Sequence, residues 1–171
     1  MLSKKMEKAF NDQINAELYS SYLYLQMAAY FTDSNLNGFA NWMNIQVKEE
    51  NAHAMMMYSF VHERGGKVTL QAIAKPDSNW KGAIGVFEAT LKHEQHVTKL
   101  IHNLLDLALQ ERDHASANFL QWFVKEQVEE EASATEILEQ LKIVEGKGHG
   151  LLLLDREMKA RVFVDPLTAQ E

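Results

Sequence analysis

A chain of 171 residues has room for one full hydrophobic core. Its net charge of -7 argues against a general nucleic-acid surface and suits a protein that handles cations. It has no cysteine, which excludes disulfides, thiolate nucleophiles, iron–sulfur clusters and cysteine-held zinc or iron.

The first residues lack the apolar run of a signal peptide, and no stretch approaches the ~20 apolar residues that span a bilayer. A cytoplasmic protein with no membrane partner is the default expectation. With only two prolines and eight glycines, long uninterrupted helices are possible.

Four segments carry helical periodicity at alternating steps of three and four. The first stripe is Phe10, Ile14, Glu17, Ser21, Tyr24, Ala28 and Phe31, and the second is Leu36, Phe39, Met43, Gln46, Glu50, His53, Met57 and Phe60. The third is Ile84, Phe87, Leu91, Glu94, Thr98, Ile101, Leu105 and Ala108, and the fourth is Leu120, Phe123, Gln127, Glu130, Ala134, Ile137, Leu141 and Val144. Each stripe is mainly apolar at both ends, as a bundle-facing helix should be. Each is also interrupted near its middle by a carboxylate.

The connections set the topology. Residues 32–35 form a short polar turn with N-cap candidates for the second helix, so the first two helices should be antiparallel neighbours. Another short link around Glu111-Arg112-Asp113 pairs the third with the fourth. Between these pairs lie residues 64–81, broken by Gly65-Gly66 and Pro76. Extended, that segment reaches ~59 Å, more than a helix of roughly 28 residues at ~42 Å. The expected fold is all-α: two hairpins joined by one long crossover. In such packing the helix midpoints meet at one level, so Glu17, Glu50, His53, Glu94, Gln127 and Glu130 should converge.

After the bundle, expected over about residues 5–145, glycines at 146, 148 and 150 stop the chain and turn it. A short helix is expected at about 151–160, opening on four leucines. These point all round the axis, so some should be buried only against other subunits. The tail, residues 161–171, has little pattern and should be loosely held. The whole chain is expected to form a single domain.

Four buried carboxylates facing one another need compensation, by protonation or by cations. Two divalent ions would balance the charge of Glu17, Glu50, Glu94 and Glu130. Oxygen-rich ligands with one imidazole and no sulfur suit iron or manganese. Carboxylate bundles of this kind carry one Glu on each of two helices and Glu-x-x-His on each of the others. Here Glu17, Glu94 and Glu50-x-x-His53 meet that pattern. The fourth helix departs from it, with Gln127-x-x-Glu130 where a second Glu-x-x-His would stand. The second metal should therefore be held more loosely than the first.

On this conjunction the chain resembles bacterial non-haem ferritins over essentially its full length. The resemblance implies a shell of 24 subunits that oxidises Fe(II) with dioxygen or peroxide and stores ferric mineral inside. It implies that Glu17, Glu50 and His53 hold the first iron, with Glu50 bridging. Glu94 and Glu130 then hold the second, with Gln127 beside the pair. Glu49, Glu126 and Glu129 match a third iron site shared with Glu130, although Glu129, Glu130 and Glu131 cannot all face one place. Tyr24 matches a tyrosine beside the metals that can supply an electron, and Trp122 is a candidate donor by chain position. The last helix is expected around the fourfold axes of the shell.

Haem is not expected. The position after Glu50, where bacterioferritins place a haem-ligating methionine, is Asn51. A di-metal oxygenase or reductase subunit is an alternative that usually keeps the second histidine. A DNA-protecting mini-ferritin shell is another, with its iron site between subunits. Met55-Met56-Met57 reads as adaptable packing, and His93 and His96, on different faces beside Glu94, as surface or accessory residues.

Overall fold

The computed structural model describes residues 1–166; the remainder of the expected tail lies outside the described residues. Among the described residues there are five helices: α1 (Lys4–Asp33), α2 (Asn37–Glu63), α3 (Gly82–Gln110), α4 (His114–Ile143) and α5 (Gly148–Met158). No strand occurs among the described residues. None of the helices is long and apolar enough to cross a membrane. The expected four-helix bundle with a long crossover and a short fifth helix is what the chain forms.

Contacts between the helices fix the direction of three neighbouring pairs. The amide of Leu2 donates to the carbonyl of Arg64, placing the start of α1 beside the end of α2. Between α1 and α3, Tyr24 meets Glu94 while Thr90 meets Met27. Between α2 and α4, Gln46 meets Glu130 while His53 packs on Phe123. One index rises as the other falls, so these pairs are antiparallel too.

The crossover runs the length of α1 and is pinned to it. Asn11 donates to the carbonyl of Lys67 at 2.9 Å and accepts from the amide of Thr69 at 2.6 Å. Further along, Asn15 donates to the carbonyl of Ala72 at 3.3 Å, and the Tyr30 hydroxyl accepts from the amide of Gly82 at 3.0 Å. These bonds satisfy backbone groups that have no helix or sheet to pair with.

Helix starts show how the ends are built. The Ser3 hydroxyl accepts from the amide of Met6 at 3.2 Å, and Asp113 caps α4 by accepting from the amide of Ser116 at 3.2 Å. The start of α2 corrects an expectation, because the turn before it supplies no side-chain cap. Instead Asp155, on α5, accepts from the amides of Gly38 and Phe39 at 2.7 and 3.1 Å. A carboxylate there also meets the positive end of the α2 dipole. Gly38 is required, since a Cβ at that position would lie 1.5 Å from the Asp155 carbonyl oxygen.

That tie fixes α5 on α2. It begins at Gly148, three residues earlier than expected, because the chain turns at Glu145, Gly146 and Gly148, all with positive φ. Leu154 is buried and Leu151 partly so, while Leu152 and Leu153 stay exposed. Arg161, at the head of the expected loose tail, is anchored to α2 by its side chain and its carbonyl.

The apolar interior falls into two clusters. One joins Leu23 through Phe31 of α1 with Phe39 and Met43 of α2, Phe87 of α3 and Ile137 of α4. The other joins Met6, Phe10 and Ile14 with Met57, Ile101 and Leu120. Between them, in all four long helices, lies a polar layer.

Candidate metal centre

The polar layer holds Glu17, Glu50, His53, Glu94, Gln127 and Glu130, all buried. One donor atom each from Glu17, Glu50 and His53 lies within 4.8 Å of the others. His53 Nδ1 is 3.4 Å from Glu50 Oε2, and the imidazole ring is wedged by Trp122 and Phe123 at centroid distances of 5.5 and 5.8 Å. Glu50 and His53 can share one ion because they lie three residues apart on one face of a continuous helix.

The other half is organised around Glu94 and Glu130. The Tyr24 hydroxyl donates to Glu94 Oε1, and Gln127 Nε2 lies 3.2 Å from Glu94 Oε2 and from Thr98 Oγ1. Gln46 Nε2 donates to Glu130 Oε2 at 2.9 Å, and Gln13 Nε2 donates to Glu17 Oε1 at 2.8 Å. Three buried glutamine amides thus hold three of the four carboxylates in place. Gln13 and Gln46 escaped the sequence reading as site residues: Gln13 lies beside the first stripe rather than on it, and a lone neutral amide such as Gln46 on an apolar stripe resembles an isolated buried polar group. Gln46 stands one turn before Glu50, and that spacing was the available signal.

The electrostatics match the crowding. Burial, then the charges of Glu94, Glu17 and Glu130, push the Glu50 carboxyl well above its ordinary value. Burial and Glu130 raise Glu94 to about 8, against the hydrogen bonds from Tyr24 and Gln127. Tyr24 is also held well above its usual value by burial and by the charges of Glu94, Glu50 and Glu130.

Among the described residues, three buried side-chain oxygens make no hydrogen bond: Glu17 Oε2, Glu50 Oε2 and Gln46 Oε1. Leaving such atoms unsatisfied costs about 1–3 kcal/mol each, more when they are charged. Hard oxygen donors and one imidazole, lacking positive partners, fit divalent metal ions.

The outer acidic residues behave differently. Glu49 pairs with Arg161 at 2.6 Å, Glu126 is half-buried, and Glu129 is exposed with Lys125 at 3.8 Å. Glu49 is raised to about 7 by burial and by Glu130 and Glu126, with Arg161 opposing the rise. The structure does not gather Glu49, Glu126 and Glu129 with Glu130 as it gathers Glu17, Glu50 and His53. His93 is not a simple surface residue. It is half-buried, bonded to Ser20 Oγ at 2.8 Å, and lowered to about 4 by burial and by His96. Met56 and Met57 lie in the core, and Met55 is exposed.

Fold and site together define a helical bundle with a buried carboxylate–histidine centre. The family model for the ferritin-like domain matches residues 7–144. The chain is 40% identical to a bacterial non-heme ferritin of Bacteroides fragilis, over 94% of this chain and all of that protein. It is 38% identical to a bacterial non-heme ferritin of Campylobacter jejuni, over 93% of this chain and 95% of that protein. An open-pore ferritin from the hyperthermophilic archaeon Archaeoglobus fulgidus is 52% identical and superposes with a TM-score of 0.93, covering 95% of this chain and all of that one. The chain belongs to the ferritin family.

Proposed function

We propose that this protein stores iron, and that its buried centre is a ferroxidase site where Fe(II) is oxidised before deposition as ferric mineral. The observation that carries the reading is the convergence of Glu17, Glu50 and His53 donors within 4.8 Å, with two carboxylate oxygens left without partners. Glu17, Glu50 and His53 take the first Fe(II), with Glu50 bridging. Glu94 and Glu130 take the second, with the neutral Gln127 beside them. Each Fe(II) gives up one electron, so two irons side by side supply the pair that dioxygen or peroxide needs.

The chain's own residues make uptake proton-coupled. Glu50 and Glu94, both shifted upward, hold protons that an incoming cation displaces. The resulting carboxylates favour Fe(III) over Fe(II), because the higher charge gains more from anionic oxygens. Gln127 adds no charge, which leaves the second position the weaker one and suits an iron that must move on. Tyr24, hydrogen-bonded to Glu94, stands where it can donate an electron.

The shell is proposed to contain 24 copies in the cytoplasm. Leu152 and Leu153 are left exposed on α5, and Tyr22, Leu25, Met55 and Tyr58 on α1 and α2, which supplies apolar surface for contacts between copies. Relatives named non-heme ferritins support storage over an oxygenase subunit or a DNA-protecting mini-ferritin. In air, two Fe(II) per subunit should react in a fast phase with ferric–oxo absorbance. Glu50→Ala and Glu130→Ala should each slow that phase about 100-fold. Light scattering should give 24 copies of the 19.6 kDa chain, about 470 kDa. A fast phase untouched by both substitutions would overturn the reading.

A further inference from the structure

Asn37 and Gly38 open α2 and form the only Asn-Gly pair in the chain. Asn37 is exposed and Gly38 is buried. Packing imposes the glycine, because the Asp155 carbonyl oxygen leaves no room for a Cβ. With that glycine comes a reactive neighbour. No other residue leaves its amide nitrogen so unhindered, and the Gly38 nitrogen can attack the side-chain amide carbon of Asn37. A bond from Gly38 N to Asn37 Cγ closes a five-membered succinimide. The Asn37 amide nitrogen leaves as ammonia, and water reopens the ring to aspartate or isoaspartate.

Two features oppose the attack. Ring closure needs a backbone rotation at Asn37 that helical geometry does not allow. The nucleophile is also tied up, since the Gly38 amide donates to Asp155 Oδ1 at 2.7 Å. The carboxylate's charge further disfavours loss of the amide proton, which the attack requires. An amide this close to a helix start has no carbonyl four residues back to receive it, and the turn before α2 offers no side-chain cap. Gly38 therefore depends on Asp155, which is itself only 6% exposed.

Asp155 is only as secure as α5. That helix has 11 residues, too few to be stable alone. It is held by Asp155, by Leu154 in the core cluster, and by Asn41 Nδ2 donating to the Met158 carbonyl at 3.1 Å.

We propose that Asn37 is a deamidation site locked by α5: Asp155 docked on the Gly38 amide keeps Asn37 intact, and undocking of α5 releases the reaction. Both restraints open together, because the first turn of α2 frays once its outside acceptor has gone. Isoaspartate routes the main chain through its side-chain carbon and adds a backbone atom before Gly38. The displaced amide no longer meets Asp155, so redocking does not reverse the change. Loss of α5 contact thereby leaves a covalent mark at Asn37. The lock lies apart from the buried centre and needs no metal.

The test is mass spectrometry of the assembled protein incubated at mildly alkaline pH, counting ammonia loss at Asn37 and isoaspartate in its peptide. Native wild type should stay intact while the guanidinium-unfolded chain is largely converted. Asp155→Ala removes the acceptor, and Leu154→Ala loosens α5 without touching Gly38. Each should react faster than native wild type on the order of tenfold, the factor that ~1.4 kcal/mol of lost docking gives. Asp155→Asn, whose side-chain oxygen still accepts, should fall between wild type and Asp155→Ala. Adding Asn37→Gln to Asp155→Ala should remove the signal. Native wild type reacting as fast as the unfolded chain would overturn the proposal. A wild-type rate in either Asp155→Ala or Leu154→Ala would mean that α2 protects Asn37 unaided, and would overturn it too. So would a slower reaction in Asp155→Ala, which would make Asp155 a base that promotes the attack.

Discussion

Replacing Glu94 with glutamine should stabilise the protein once metal has been removed by chelation. Burial and the charge of Glu130 raise the Glu94 carboxyl from its ordinary 4.5 to about 8. A carboxyl raised on folding binds its proton more tightly in the native state than in the unfolded chain. The resulting stability is fully present below about pH 4.5 and is lost as pH rises towards 8, where the native group also ionises. At ~1.4 kcal/mol per pH unit, the loss by pH 7 is about 3 kcal/mol. The amide cannot ionise and still accepts from Tyr24, but its NH2 faces Gln127 Nε2, now at 3.2 Å from Glu94 Oε2. That mismatch returns about 1 kcal/mol. Glu94→Gln should therefore be more stable than wild type by about 2 kcal/mol at pH 7, and no more stable near pH 4.5. Guanidinium unfolding of the chelated protein between pH 4.5 and 8 measures this, and added Zn2+ should reverse the order by favouring wild type. Equal pH slopes for the two proteins, or a less stable variant at pH 7, would refute the reasoning.

Two further substitutions probe what surrounds the centre. Asp155→Ala should lower stability by about 1–2 kcal/mol in thermal unfolding, because the first amides of α2 lose their acceptor, and Asp155→Asn should recover part of the loss. Tyr24→Phe should cost about 1–2 kcal/mol in urea unfolding of chelated protein at pH 8, since Glu94 loses a donor while the ring's packing persists. Near pH 5, where Glu94 is protonated, the same substitution should cost less.

The periodic stripes made the bundle legible, because carboxylates at comparable depth in four helices have few other arrangements that bring them together. Glu50 and His53 were legible from their own spacing. Residues whose partners lie far along the chain were not. Asp155 caps a helix that begins 118 residues before it, at Asn37, and no local pattern announces such a bond. Arg161 looked like part of a patternless tail, because its partners Trp42 and Glu49 lie on another helix. Gln13 and Gln46 carry no charge, so their hold on Glu17 and Glu130 emerged only once the helices were packed. The outer acidic group illustrates the opposite error. A run of Glu side chains suggests a cluster, yet rotation around α4 leaves Glu129 in solvent and Glu130 inside.

The polar layer that divides the interior also divides its cooperativity. Phe31, Phe39 and Phe87 interlock at one end, and Phe10, Phe60 and Phe119 at the other, with no ring contact joining the two sets among the described residues. Each end is a small core of its own, and the carboxylates between them repel unless protons or cations intervene. Metal removal should therefore loosen the coupling between the two ends, so that each opens more readily on its own. In amide hydrogen exchange this would register as two protection classes that merge when cations return, making cargo the joint between the halves of its own container.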